Sequence, residues 1–84
     1  MISVDNTIKA ESYIRQIKLD KIKDVYKFVE LATNTGWVSV SRGSFRVDGS
    51  SMMGMFAIDP SERFTVEYSA DNEEFDTFIK QFIV

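Results

Sequence analysis

The chain has no cysteine and no histidine. The first absence excludes disulfides, thiolate metal sites and thiol nucleophiles. The second excludes imidazole acid–base chemistry, phosphohistidine and the commonest zinc ligand. Proline occurs once and glycine four times in 84 residues, too little for a Pro/Gly-rich disordered or fibrous chain. No window approaches the roughly 18 apolar residues that span a bilayer. The first stretch, Met1 to Glu11, has no apolar run and carries Asp5 and Glu11, so no secretory signal is expected. Without cysteine or signal, the expected location is the cytoplasm. A basic balance is also missing: the net charge is −3 and the pI about 4.8. A sequence-independent nucleic-acid binder is normally basic, so no direct nucleic-acid partner is expected, and no membrane partner either. No catalytic triad, metal cluster or nucleotide fingerprint is visible, and neither an enzyme nor a cofactor is expected.

What the chain does have suits one small core. Hydrophobic residues make up 44% and charged residues 27%, with seven Phe, three Tyr and one Trp. That mixture is globular rather than disordered. Residues 1–42 hold seven Lys/Arg and five Asp/Glu, and residues 43–84 hold three and eight. The first half is therefore net basic around Lys18, Lys21, Lys23 and Lys27, and the second half acidic.

Residues 1–11 are polar and aperiodic and read as a leader, with residues 12–84 as a single domain. Residues 12–19 alternate imperfectly, with Tyr13, Ile17 and Leu19 in phase and Arg15 interrupting, which predicts a strand. Asp20 is placed to cap a following helix. Ile22, Val25, Tyr26, Val29 and Ala32 predict an amphipathic helix over 21–33, ended by Asn34-Thr35-Gly36 with Gly36 able to take positive φ. Trp37–Ser41 and Ser44–Val47 predict a hairpin turning at Arg42-Gly43. Asp48–Ser51 leads into a short apolar segment, Met52–Ile58, with Ser51 as its cap. Spacing on that segment predicts Met53 and Phe56 inside and Met52 outside. Pro60 bars a continuing helix. Phe64, Val66 and Tyr68 alternate with polar residues as a half-buried strand. Phe75, Phe78, Ile79, Phe82 and Ile83 mark a helix over 71–84, with Asp71 and Glu74 spaced as a capping box. Trp37 is expected at the core or rim, and Tyr26 and Tyr68 at the sheet–helix interface. The order β-α-β-β-α-β-α predicts an α+β fold, one sheet with helices on a single face.

Three stretches together resemble the HPr family, the small phosphocarriers of the bacterial phosphoenolpyruvate:sugar phosphotransferase system. They are YKFVELA (26–32), VSVSRGSFRVDGSSMMGMFAI (38–58) and FTVEYSADNEEF (64–75). The first is similar to the middle of the family's first helix. The second follows its strand, Asn-Gly turn, strand and Lys-Ser-Ile-Met-Gly pattern, with Ser51-Met52-Met53-Gly54 at the last four positions. The third is similar to the last strand and the start of the last helix. The resemblance implies an open-faced β-sandwich, a four-stranded antiparallel sheet covered by helices.

This chain departs from the family's pattern at the active centre. The family's phosphoryl-accepting histidine falls on Lys21, the arginine two residues on falls on Lys23, and the following proline falls on Asp24. A lysine has a reference pKa of about 10.4 and is protonated and non-nucleophilic at neutral pH unless desolvated. Phosphate carriage on histidine is therefore not expected. The resemblance further implies that Ser51 occupies the regulatory serine modified by HPr kinase, although Ser50 replaces the lysine that precedes it in the family. It also implies a docking face formed by the second helix and the start of the first, which would use Met52, Met55, Lys21 and Lys23. Partners on this reading are enzyme I, HPr kinase or a catabolite-control regulator. The alternative is a binding or structural module that keeps the fold and docks an unrelated partner or self-associates.

Overall fold

In the computed structural model, residues 11–84 are described, and the expected leader falls almost wholly outside them. Among the described residues, four strands and three helices follow in the predicted order. The strands are β1 (Ser12–Ile17), β2 (Val38–Arg42), β3 (Phe45–Asp48) and β4 (Phe64–Ser69), and the helices are α1 (Ile22–Thr33), α2 (Met52–Ala57) and α3 (Glu73–Lys80). The strands form one sheet in the order β1-β4-β2-β3, antiparallel at every pairing. The fold is α+β, with an open four-stranded sheet.

Strand alternation divides the sheet into two faces. Ile17, Val38, Val40, Phe64, Val66 and Tyr68 point to one side and are buried with Val25, Phe28, Leu31, Met55, Phe75 and Ile79 of the helices. Their intervening neighbours Ser12, Ile14, Gln16, Ser39, Ser41, Thr65 and Glu67 are exposed or half-exposed. The helices therefore cover one face, and the core lies between them and the sheet. Phe28 is central: its ring meets Phe64 at 6.2 Å and Phe75 at 5.3 Å, both edge-on. Such edge-to-face pairs favour each other beyond simple area burial.

The hairpin turns one residue later than expected, at Gly43-Ser44, because Arg42 still pairs with Phe45, and Gly43 takes φ 61 in the left-handed region. Ser51 caps α2 as expected, its hydroxyl accepting the Gly54 N–H at 3.1 Å. Other local expectations are corrected. Lys21, not Asp20, occupies the cap position of α1 and makes no side-chain cap bond. Gly36 does not take positive φ, because α1 ends at Thr33 with Asn34 as its C-cap. Asn72, not Asp71, caps α3, accepting the Phe75 N–H at 2.9 Å, while Asp71 is turned back onto the Ser69 hydroxyl. Asn72 also donates to Thr35 Oγ1 at 2.8 Å, tying the start of α3 to the end of α1. That second bond is open to Asn72 and not to Asp71. The last helix stops at Lys80, and Ile83 is half-exposed, pairing with Ile17 as a single β-bridge.

Arg15 does not break β1. Its guanidinium lies 4.4 Å from the centre of the Tyr13 ring and donates to Asp76 Oδ1 at 3.5 Å. Asp76 is buried, and it also accepts the Tyr68 hydroxyl and pairs with Lys80 at 3.2 Å. Burial pushes the Tyr68 phenol up to about 12, and the hydrogen bond to Asp76 adds to the shift. Burial also opposes the charge on Asp76. Hydrogen bonds from Tyr68 and Lys80 and the charges of Lys80 and Arg15 outweigh it and hold the carboxyl below its usual range.

Candidate docking face

The start of α1 and the length of α2 lie side by side on the helical layer. The buried stripe of α1 is Val25, Phe28, Val29, Leu31 and Ala32. At 100° per residue its centre is rotated by roughly 60° from the stripe expected through Ile22 and Tyr26. Ile22 and Tyr26 therefore sit on its flank, each more than half exposed. Tyr26 does not pack the sheet–helix interface. Its ring meets Phe56 of α2 edge-on at 6.4 Å.

Helix α2 is apolar all round, so its orientation is set by packing alone. A Cβ on Gly54 would stand 3.0 Å from Val47 Cβ, so the helix touches β3 through this glycine. Met55 then enters the core completely, with 0% exposure, and Met52 is half-buried against it. Met53 is 84% exposed and Phe56 43%. The expected distribution is reversed: Met53 and Phe56 are the outward residues. Met55 cannot touch a partner and leaves the docking set, and Met52 contributes only an edge.

The loop after α2 is held from below. Arg42, at the end of β2, donates to the carbonyl of Ile58, to Asp59 O at 2.7 Å, and to Glu62 O and Arg63 O at 3.1 Å each. Asp59 is in the left-handed region at φ 58. Leu19 N–H donates to Pro60 O at 2.8 Å, which ties this loop to the entry of α1. Between them lies a depression of about 200 Å³ lined by Leu19, Lys21, Ile22, Phe56 and Pro60.

Lys21 and Lys23 are exposed at the rim of this surface. Ser51 stands half-buried at the start of α2, and its hydroxyl hydrogen has no acceptor among the described residues. The structure thus brings Lys21, Ile22 and Phe56 to one depression and Tyr26 onto Phe56, with Lys23 and Met53 exposed on the same two helices. Among the described residues no group of His, Asp or Glu could hold a metal, and no helix is long and apolar enough to cross a membrane. Comparison with known protein families, characterised proteins and solved structures finds no match to this chain.

Proposed function

We propose that this protein is an HPr-like docking or regulatory protein of the cytoplasm, which does not carry phosphate on histidine and is not an enzyme. The observation that carries this reading is the exposed apolar patch of Ile22, Tyr26, Met53 and Phe56, spanning two helices beside Lys21 and Lys23. Monomeric surfaces scatter large apolar residues singly, whereas a contiguous group rimmed by charge marks an interaction site. Aromatic and methionine side chains are the types enriched in interface centres, and methionine adapts to varied partners. The element order, the antiparallel sheet and its single helical layer accord with the architecture that the resemblance implies.

Lys21 stands where the family keeps its histidine, and its amine is exposed rather than desolvated. It acts as a charge on the rim and not as a phosphoryl acceptor. Ser51 is the modification site on this reading. A phosphate there would add up to two negative charges at the start of α2 and next to the docking patch. It would displace the cap bond to Gly54 and change what the patch can bind. The partners are enzyme I, HPr kinase or a catabolite-control regulator.

Intact-protein mass spectrometry after two separate incubations tests the reading. Enzyme I with phosphoenolpyruvate is expected to add nothing. HPr kinase with ATP is expected to add one stable phosphate that Ser51→Ala abolishes. Capture on immobilised enzyme I or catabolite-control regulator is expected to survive Met52→Asp better than Phe56→Asp. A labile phosphate from the first incubation refutes the loss of carriage. Failure of both phosphorylation and capture refutes the family reading.

A further inference from the structure

A larger cleft, of about 490 Å³, opens where the end of α1 meets β2 and the edge strand β3. It lies outside the docking face and falls within the roughly 300–1,000 Å³ of small-molecule sites. Two of its lining residues, Trp37 and Gly36, lie outside the core packing. Trp37 is 47% exposed and lies outside the core cluster. A large aromatic left half in water forgoes much of its burial free energy. Gly36 has no positive φ, and a Cβ built on it would meet nothing within 4 Å. Neither the backbone nor the packing requires glycine there, and glycine costs conformational entropy on folding. What the missing side chain does is leave the cleft open.

The polar groups of the cleft are partly unspent. Arg46 uses one guanidinium nitrogen on Ser39 Oγ at 2.5 Å, and its other donors have no partner among the described residues. Asp48 Oδ1 accepts from Ser50 N at 2.9 Å and Ser50 Oγ at 2.8 Å, while Oδ2 has no partner among the described residues. The backbone bond from Ser50, then its hydroxyl, hold the Asp48 carboxyl below its usual range. Arg46 and Asp48 are two residues apart on β3, so they share a face about 7 Å from each other. The cleft therefore offers a flat apolar face, free donors, a free anionic acceptor and no net charge from this pair.

We propose that this cleft binds a purine nucleoside by its base. A purine presents acceptors such as N7, and O6 in guanine, together with amine donors on one rigid plane. The acceptors face Arg46, the amine faces Asp48, and the ring stacks on Trp37. Stacking of a base on an aromatic side chain is strong enough to carry such a contact without phosphate. The carboxylate of Asp48 works against a polyphosphate, so recognition rests on the base.

Trp37 is the single tryptophan of the chain, so its emission has one source. Guanosine titrated up to about 1 mM is expected to quench it saturably, the weakest binding such a site would show. Excitation beyond the purine absorption band avoids attenuation by the ligand. Gly36→Leu fills the cleft and is expected to weaken guanosine at least tenfold with an unchanged melting temperature. Asp48→Asn is expected to do the same while leaving the cleft's shape intact. Absence of saturable quenching overturns the proposal, as does quenching that persists unchanged in Gly36→Leu. So does a methyl glucoside that binds as well as guanosine, since a sugar stacks without using the base edges.

Discussion

Removing the carboxylate of Asp76 tests whether the polar cluster under β1 is part of what holds the domain together. In Asp76→Ala, the Tyr68 hydroxyl stays in the core without its acceptor. An orphaned buried hydroxyl costs about 1–3 kcal/mol. Arg15 also loses its anion, and its Nε is already buried without a partner among the described residues. Breaking a fully buried ion pair costs about 3–5 kcal/mol. Arg15 is 28% exposed in its side chain and can turn toward water, so its share falls well below that. The expected total is about 3 kcal/mol. At roughly 4–8 °C per kcal/mol for a domain of this size, the melting temperature should fall by about 12–24 °C. Urea denaturation and thermal melting, both followed by circular dichroism, measure the two quantities. Tyr68→Phe alone should cost about 1 kcal/mol. The double variant should cost less than the sum of the two, because no hydroxyl is left stranded. A loss under about 1 kcal/mol for Asp76→Ala, or strict additivity within about 0.5 kcal/mol, would refute the reasoning. The pH dependence has a fixed sign. The Asp76 carboxyl is depressed in the folded state, so its contribution is present above the unfolded value of about 3.9 and is lost as pH falls below it. The Tyr68 phenol is raised, so its contribution is present below about 10 and is lost as pH climbs toward about 12. Asp76→Asn should flatten the acid limb of the stability curve measured by the same denaturation series.

Met55→Ala should destabilise by about 2–5 kcal/mol in urea denaturation, because the side chain is wholly buried, whereas Met53→Ala should stay within about 0.5 kcal/mol of wild type. Equal costs would refute the assignment of the α2 faces. Gly54→Ala should lower stability despite alanine's higher helix propensity, since its methyl meets Val47; thermal melting that rises instead would show that α2 can lift from β3 freely. Arg42→Ala frees the carbonyls of Ile58, Asp59, Glu62 and Arg63 and should raise amide exchange of that loop in hydrogen-exchange measurements, with β1 amides unchanged.

The helical and strand pattern was legible because each long element carries one clear period. Phe64, Val66 and Tyr68 face inward as their alternation predicts, and Phe75 and Ile79 as their spacing predicts. The candidate site was legible only in outline. The start of α1 and the whole of α2 were marked, yet the outward residues of α2 were misassigned. A six-residue helix with apolar side chains on every side has no period that distinguishes in from out. The usable signal was Gly54, whose missing side chain allows close approach and so fixes the buried side. On α1 the apolar character of Ile22 and Tyr26 pulls the predicted stripe toward them, although Phe28 and Leu31 define the better-filled face. Arg15 and Asp76 each look like surface charges in isolation. Only the register of Tyr13 against Tyr68 and the seat of α3 on β1 and β4 bring them together, and that pairing joins residues 61 positions apart.

Helix α2 is secured to the domain by three devices: the Ser51 cap, the glycine contact with Val47, and the buried Met55. None of them involves the side chains at positions 53, 56 or 57, which face outward. The demands of folding therefore fall on one set of residues of this short helix and leave the other set unconstrained by the core. Substitutions at the outward positions leave all three of these devices intact, so the surface of the helix can change chemistry without a change in how it is seated.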